Sequence, residues 1–417
     1  MNREFDIILW GATGFTGRLV AEYFLKEYGL NKSLNWAIAG RNKDKLEKLR
    51  YKLKTVSKEA LEIPILIGDS HEIKSLNKIV KQTKVICTTV GPFMEYGMLL
   101  VKACIDNKTD YCDITGETPF IKKNIEFHHN NAVKKKKKIV HCCGYDSIPS
   151  DLGCLMVQDF SIKKFKSPCE KVLLYVGKTK GGFSGGTIAS MINITEKSKF
   201  DKEMKTLLKD PYALNNKDDW RGHDNLGQKD VKWDSDLGVW TGPFIMAMIN
   251  TRIVRRTNAL ISLKYGKNFS YQEVMTFPPG YLNKIRAKLF RLGLGFMQKF
   301  LRNKILSFIL KKYVLPAPGQ GPSKYDRENG FFNITIIGKG YKKDGTLFKV
   351  KGDIHCDKDP GYAGTAKMLG ESAVCLALYK KELPKLYGVL TPASGLGKTL
   401  IRNLKQKEMK FNVEIYN

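Results

Sequence analysis

Features that mark membrane-spanning and secreted proteins are missing from this 417-residue sequence. No run of about 18 uncharged apolar residues occurs, so we expect no helix that spans a bilayer. The nine cysteines are odd in number and include no CxxC pair, which indicates reduced intracellular thiols, without a disulfide framework or a metal site. The first strand pattern begins so soon after Met1 that we expect no signal or transit peptide.

Acidic residues are scarce relative to basic ones: 41 Asp and Glu stand against 71 Lys and Arg, a formal net charge of +30. No helix-turn-helix, zinc-finger or RNP motif accompanies this charge, so we predict no nucleic-acid partner. The excess suits an anionic cofactor or an anionic membrane surface, although a lysine-rich genome would also produce it. The densest cluster, Lys134 to Lys138, is predicted to be a solvated helix end.

A glycine-rich turn near the start of the chain carries the first functional signal. The apolar run Ile7 to Trp10 predicts a buried parallel strand, a helical pattern begins near Leu19, and Gly-Ala-Thr-Gly-Phe-Thr-Gly lies between them. Glycines let the backbone approach a pyrophosphate closely, and the helix N-terminus favours its negative charge. The residues of this turn that we predict to bind a dinucleotide are Gly11, Thr13, Gly14, Phe15 and Gly17.

The end of the second predicted strand favours NADP(H) over NAD(H). An NAD site usually places Asp or Glu there to bind the ribose 2′-hydroxyl. In this chain the strand Trp36 to Ala39 is followed by Gly40, Arg41 and Asn42. Because a guanidinium can hold a 2′-phosphate and lie across adenine, we predict that Arg41 binds the phosphate, with Asn42 and Lys43 as helpers. The alternative is a solvated arginine in a basic protein.

Four further strand patterns before residue 150 end in loops that should converge on the cofactor, because ligands of open α/β sheets bind beyond the carboxyl ends of strands. Gly91 and Pro92 follow the fourth strand and are predicted to lie beside the ribose on the nicotinamide side. A reduction also needs a group that supplies a proton. The candidates, each also explicable as a packing, turn or capping residue, are Tyr96, Asp113, Asp146 and Ser147.

Strand and helix patterns alternate over residues 1–150, which predicts an α/β fold with a Rossmann-type, doubly wound parallel sheet. Residues 151–360 are expected to form a second α/β domain with a mixed sheet. The strand-like runs that suggest it are Ile261 to Tyr265, Phe331 to Gly338 and Phe348 to His355. The glycine-rich segment Gly181 to Thr187 is either a turn that receives an anion or a carbonyl, or a crossover between domains.

Residues 281–315 combine nine basic residues with no acidic one. An apolar stripe at helical spacing runs through the segment, formed by Leu282, Ile285, Leu289, Leu292 and Phe296. Charges interrupt it too often for a membrane span, so we predict a basic amphipathic hairpin that lies in a lipid interface. The alternatives are a helix pair that covers the second domain's sheet and a contact between two copies of the chain.

Seven segments spread nearly end to end along the chain are recognisable together: Gly11 to Gly17, Ala39 to Arg41, Val90 to Phe93, Tyr111 to Glu117, Gly144 to Asp151, Ser184 to Thr187 and Gly388 to Ala393. They resemble the saccharopine dehydrogenase-like oxidoreductases, whose bacterial relatives include trans-acting enoyl reductases that serve polyketide lipid synthesis. Animal members of the group are associated with lipid droplets.

The resemblance implies an NADP(H)-dependent oxidoreductase in which residues 361–417 pack back on the first domain. It suggests reduction of a C=C or C=N bond in a small-molecule, lipid-linked or hydrophobic substrate. The expected location is the cytoplasmic face of a membrane or a lipid droplet, with mitochondrial association and a homodimer left open. Two alternatives remain: a saccharopine-type amino acid reductase, and a nucleotide-binding scaffold at a lipid surface without turnover.

Overall fold

Two seven-stranded sheets organise the protein in the computed structural model, which describes residues 3–181, 190, 192–194, 196–303 and 322–417. Most of the glycine-rich segment Gly181 to Thr187 lies outside the described residues. So does the part of the segment 281–315 beyond residue 303. Among the described residues, no helix is both long enough and apolar enough to cross a bilayer.

Every strand pair in the first sheet is parallel. The strands are β1 (Phe5–Trp10), β2 (Trp36–Gly40), β3 (Ile65–Ile67), β4 (Thr83–Thr88), β5 (Asp110–Asp113), β6 (Lys138–Val140) and β13 (Gly388–Leu390). Their spatial order is β13-β6-β5-β4-β1-β2-β3, which reverses direction between β1 and β4. Such a reversal opens a crevice at the carboxyl ends of the two strands, where dinucleotides bind.

Helices cover both faces of this sheet. They are α1 (Phe15–Tyr28), α2 (Lys43–Leu53), α3 (Ile73–Val80), α4 (Phe93–Tyr96), α5 (Met98–Asp106), α6 (Thr118–Lys134) and α7 (Ile148–Phe165). Alternate residues of β1 enter different cores: Ile7 and Leu9 share one with Phe24 of α1, whereas Ile8 shares the other with Leu100 of α5. Burial on both faces explains the continuous apolar run of β1. The predicted Rossmann-type sheet is confirmed.

The second sheet is mixed, as predicted. Its strands are β7 (Lys171–Lys180), β8 (Lys232–Asp234), β9 (Val239–Pro243), β10 (Ser270–Phe277), β11 (Phe331–Tyr341), β12 (Leu347–Cys356) and β14 (Lys410–Ile415). The order is β14-β12-β11-β7-β10-β9-β8, in which only β7 and β10 pair in parallel.

The remaining labelled helices are α8 (Lys202–Lys209), α9 (Ala247–Leu260), α10 (Tyr281–Arg302), α11 (Lys324–Glu328), α12 (Thr365–Leu378), α13 (Pro392–Gly395) and α14 (Gly397–Gln406). Helix α7 packs on β11 and β12, α9 on β10, and α10 on β9. Helix α12 packs on α1 and β4 of the first domain. The end of the chain contributes one strand to each sheet, since β13 pairs with β6 and β14 pairs with β12.

One local prediction is wrong, and a second, the solvated helix end at Lys134 to Lys138, is wrong at Lys138. Ile261 to Tyr265 form turns, because the Asn258 side chain accepts from the N–H of Tyr265 and donates to the carbonyl of Gly266, which folds the chain back after α9. Lys138 is buried at the start of β6, not solvated at a helix end. Its ammonium group donates to the carbonyls of Pro384 and Leu386 at 2.7 and 2.6 Å.

Candidate cofactor-binding and active site

The glycine turn joins β1 to α1 in very little space. Gly11 has φ of 86°, and a Cβ there would lie 2.3 Å from Cγ2 of Val90. A Cβ on Gly17 would lie 2.3 Å from the carbonyl oxygen of Gly11. A Cβ on Gly14 would lie 3.4 Å from the same oxygen, which the fold tolerates. The fold therefore requires Gly11 and Gly17, whereas Gly14 leaves an open cradle at the N-terminus of α1 that fits a pyrophosphate.

The residues after β2 stand at the same edge of the sheet. Arg41 is exposed, which leaves its guanidinium available to a ligand. Asn42 has a structural task, because its side chain accepts the N–H of Lys45 at 2.9 Å and caps α2. The amine of Lys43 lies 3.9 Å from the Glu47 carboxylate on the exposed side of α2. Of these three side chains, Arg41 is the one best suited to a 2′-phosphate.

Tyr96 lies beside the loops that follow β2 and β3. Its ring is 5.1 Å from the ring of His71, which follows β3. Hydrogen bonding to Glu95 and that residue's charge raise the pKa of Tyr96, and the nearby Arg41 charge opposes the shift. Tyr96 therefore shares its surroundings with the loops after β2 and β3, which makes it a candidate for adenine contact.

The loop after β4 contains Gly91 and Pro92, joined by a cis peptide bond. The buried carboxylate of Glu117 holds this loop, since it accepts the N–H groups of Phe93 and Met94 at 2.9 and 2.8 Å. Ser190 donates its hydroxyl to the same carboxylate at 2.8 Å. Glu117 belongs to the segment Tyr111 to Glu117 but is not among the site residues predicted from the sequence. The available signal was a carboxylate placed just before a helix at a strand end.

Asp113, at the end of β5, is fully buried in a hydrogen-bond network. Its carboxylate accepts from the Tyr111 hydroxyl at 2.8 Å and from the N–H groups of Thr115 and Cys142 at 3.1 and 3.2 Å. It also lies 2.7 Å from Nδ1 of the buried His141. Through these contacts Asp113 joins the loops that follow β5 and β6 beneath the site.

Asp146 and Ser147 lie in the loop between β6 and α7. Asp146 is half-buried, and burial raises the pKa of its carboxyl group to about 6. It lies near Gly116 in the loop after β5, since a Cβ on that glycine would be 3.8 Å from a carboxylate oxygen of Asp146. The structure therefore brings Asp146 to the crevice in a form that is easily protonated.

Ser147 is the first of a series of buried, hydrogen-bonded side chains that reaches the second sheet. Its hydroxyl donates to Oδ1 of Asn250 at 3.0 Å, and the Asn250 amide donates to Glu273 at 2.9 Å. Burial raises the pKa of Glu273 to about 7, while hydrogen bonds from Ser150, Asn250 and Tyr271 oppose the shift. Ser147 thus positions α7 against α9 and β10.

Helix α9 carries three buried arginines that sequence reasoning missed, since arginines on a helix usually face solvent. Arg252 donates to the carbonyls of Asp210 and Leu208. Arg256 donates to the carbonyls of Leu214 and Val389. Arg255 pairs with the Asp224 carboxylate at 2.9 Å. Each guanidinium therefore anchors the chain around α9.

Known proteins match nearly the whole length of the chain. The saccharopine dehydrogenase NADP-binding domain matches residues 7–140, which contain the glycine turn, Arg41 and the cis Gly91–Pro92 bond. A candidate trans-acting enoyl reductase of Mycobacterium tuberculosis is 37% identical over 96% of this chain and 96% of that protein. The trans-acting enoyl reductase of Mycobacterium bovis is 34% identical over 97% of this chain and 96% of its own length.

A solved structure shows the same fold. The apo saccharopine dehydrogenase (L-Glu forming) of Saccharomyces cerevisiae covers 99% of both chains with a TM-score of 0.55 at 14% sequence identity. The NADP-binding domain confirms the predicted preference for NADP(H). The chain therefore belongs to the saccharopine dehydrogenase-like family of NADP-dependent oxidoreductases, together with the trans-acting enoyl reductases.

Proposed function

We propose that this oxidoreductase reduces a C=C or C=N bond in a lipid-linked or hydrophobic substrate while α10 holds the enzyme at a lipid surface. The observation that carries this proposal is an apolar face of α10 that remains exposed. The names of the enoyl reductase relatives support a C=C substrate. The surface we infer is the cytoplasmic face of a membrane or a lipid droplet.

Among the described residues, one side of helix α10 contacts the second domain. Ala287 is fully buried there, and the ring of Phe290 lies 5.7 Å from that of Phe277 on β10. On the same side Lys284 lies over Trp240, and Arg291 pairs with Asp230 at 2.8 Å. These contacts fix which face of α10 points outward.

The outward face is the apolar stripe noted in the sequence. Leu282, Leu289 and Phe296 are 70%, 61% and 58% exposed, and Ile285 and Leu292 lie between them. Residues 281–303 contain no carboxylate, and Arg286, Lys288 and Lys299 are exposed cations on this helix. An apolar stripe with cations and no anions is the composition of a helix that lies in an anionic lipid interface.

In the proposed reduction the cofactor and the protein have different roles. Bound NADPH would supply the hydride. The protein must hold the double bond in place and give a proton to the atom that does not receive the hydride. We assign that proton to the carboxyl group of Asp146, whose pKa burial raises to about 6. The product then has gained one hydride and one proton.

An amino-dicarboxylate substrate would need arginines or lysines that are free to bind two carboxylates. The three arginines of α9 instead bind backbone carbonyls and Asp224. We therefore rank a saccharopine-type substrate below a hydrophobic one.

Vesicle co-sedimentation tests the lipid surface. Wild-type protein should sediment with vesicles of phosphatidylcholine and phosphatidylserine, and salt should remove only part of the binding, because the apolar face is not screened. Leu289→Ser with Phe296→Ser should remove the salt-resistant part. Tyr51→Ser with Phe127→Ser is the matched control, since these side chains are 67% and 65% exposed elsewhere. The control should bind like wild type.

Two results would contradict the lipid surface. Loss of thermal stability in the α10 double variant, without loss in the control, would show that the apolar stripe stabilises the fold instead of contacting lipid. A wild-type dimer that dissociates in the α10 variant would show that a second copy covers the face. Vesicle binding with no turnover of any substrate would favour the scaffold alternative.

A further inference from the structure

A groove of about 690 Å³ lies between α7 and α14 beside the strand β14. Each helix contributes side chains at the spacing i, i+3, i+4, i+7, so each presents a single face to the groove. They are Met156, Asp159, Phe160 and Lys163 from α7, and Lys398, Ile401, Arg402 and Lys405 from α14, to which Gln406 at the end of α14 is added. The groove is open to solvent along its length and is not an enclosed pocket.

The floor of the groove is apolar and only half-buried. It is formed by Met156, Phe160, Ile401 and Val413. Burial of this remaining apolar surface by a ligand would be favourable by about 25 cal/mol per Å². A hydrocarbon chain is the simplest group that would cover such a floor.

The rim of the groove is cationic. Its one carboxylate, Asp159, is already bound by Lys264 at 2.5 Å and by Lys398 at 2.9 Å. Arg402 pairs with Glu382 at 2.5 Å. Within the part of the chain that the structure describes, no carboxylate is paired with the amine of Lys163 or Lys405, and both are exposed. The rim therefore has two cations available to an anion.

We propose that this groove binds a single acyl chain with an anionic head, the chain on the apolar floor and the head between Lys163 and Lys405. The site is separate from the catalytic crevice. Ser147 caps the opposite end of α7, so Lys163 lies about 24 Å away along the helix at 1.5 Å per residue. The groove is also separate from α10, and this proposal does not depend on the proposed function.

Calorimetry with the full-length protein tests the site. The probes are sodium oleate below its micelle concentration, 1-oleoyl lysophosphatidate, and oleyl alcohol, which has the same chain without a charge. We expect 1:1 binding of at least one anion and binding of the alcohol weaker by about tenfold or more. Tighter binding of oleate would identify a carboxylate head, and tighter binding of lysophosphatidate a phosphate head.

Variants locate the bound anion. Lys163→Gln with Lys405→Gln should weaken binding about tenfold, since it removes both free cations. Lys164→Gln with Lys410→Gln makes the same change of net charge at exposed lysines that do not line the groove, and should bind like wild type. Ile401→Ser should weaken oleate and the alcohol alike, because it acts on the floor. Leu289→Ser with Phe296→Ser should leave 1:1 binding intact.

Several outcomes would overturn the proposal. These are an absence of saturable binding, equal losses in the two lysine pairs, competition of oleate with NADPH, and loss of binding in the α10 variant. Binding of an acidic peptide on the free edge of β14 with no oleate binding would assign the groove to a protein partner instead. If Ile401→Ser does not fold, the two lysine double variants still test the proposal, because they change exposed side chains.

Discussion

The Oε1 atom of Glu117 accepts the hydroxyl of Ser190 at 2.8 Å while the same carboxylate holds the loop that follows β4. One buried side chain thus connects the Gly91–Pro92 loop to the chain that follows β7. We expect Glu117→Ala to lower the free energy of unfolding by about 3 kcal/mol, because it leaves buried donors without an acceptor. NADPH affinity should fall as the loop relaxes.

Chemical denaturation and calorimetry of Glu117→Ala measure both effects. Ser190→Ala is the control, since it removes a single hydrogen bond worth about 1 kcal/mol. If Glu117→Ala is as stable as Ser190→Ala and binds NADPH normally, the carboxylate does not hold the loop.

Arg41 is expected to select NADPH over NADH. Because the guanidinium is exposed and has a 2′-phosphate as its predicted ligand, Arg41→Ala should weaken NADPH binding by about 1.5–3 kcal/mol and leave NADH binding nearly unchanged. Lys45→Ala removes a neighbouring exposed cation and should change neither affinity. Equal losses for both cofactors in Arg41→Ala would refute the assignment.

The glycines of the turn should separate into two classes. Gly14→Val should fold normally but bind neither NADPH nor NADH, because its side chain fills the open cradle at the start of α1. Gly17→Val should fail to fold, since a Cβ there would lie 2.3 Å from a backbone carbonyl oxygen. Circular dichroism and cofactor titration distinguish these outcomes. If Gly14→Val folds and binds both cofactors with wild-type affinity, the pyrophosphate does not bind at the start of α1.

Asp146 is expected to set the pH dependence of reduction. Burial raises the pKa of its carboxyl group to about 6, and the protonated form is the donor. With saturating NADPH the rate should be highest below pH 6 and fall about tenfold per pH unit above it. Asp146→Asn should reduce kcat by about 10²–10⁴ and abolish this limb of the profile. A limb that persists in Asp146→Asn would exclude the role.

Local patterns predict the six strands of the first sheet that precede residue 150, and β11 and β12 of the second sheet, but not β13 or β10. The run Ile7 to Trp10 and the glycines that follow it depend on neighbours in sequence, so both could be predicted. In contrast, β10 buries Glu273, which the hydrogen bonds from Ser150, Asn250 and Tyr271 make possible. A strand with a buried carboxylate and a helix with buried arginines both contradict the usual hydrophobic patterns.

The site shows the same division. Gly11, Gly14 and Arg41 follow strand ends and could be selected from the sequence. The structural roles of Asp113 and Ser147 could not be predicted from the sequence, because their partners His141 and Asn250 lie 28 and 103 residues away along the chain. A carboxylate at a strand end has the same local signature whether it binds a substrate or joins two loops.

Transfer of deuterium from NADPH to a lipid would show whether this protein reduces a hydrophobic substrate. The full-length protein would be incubated with NADPH deuterated at both C4 positions of the nicotinamide and with a total lipid extract, and products analysed by mass spectrometry. We expect a lipid-soluble product that has gained one deuterium from the cofactor and one hydrogen from solvent, and we expect Asp146→Asn to form it more slowly. Deuterium found only in water-soluble amino acids, or in no product at all, would contradict it.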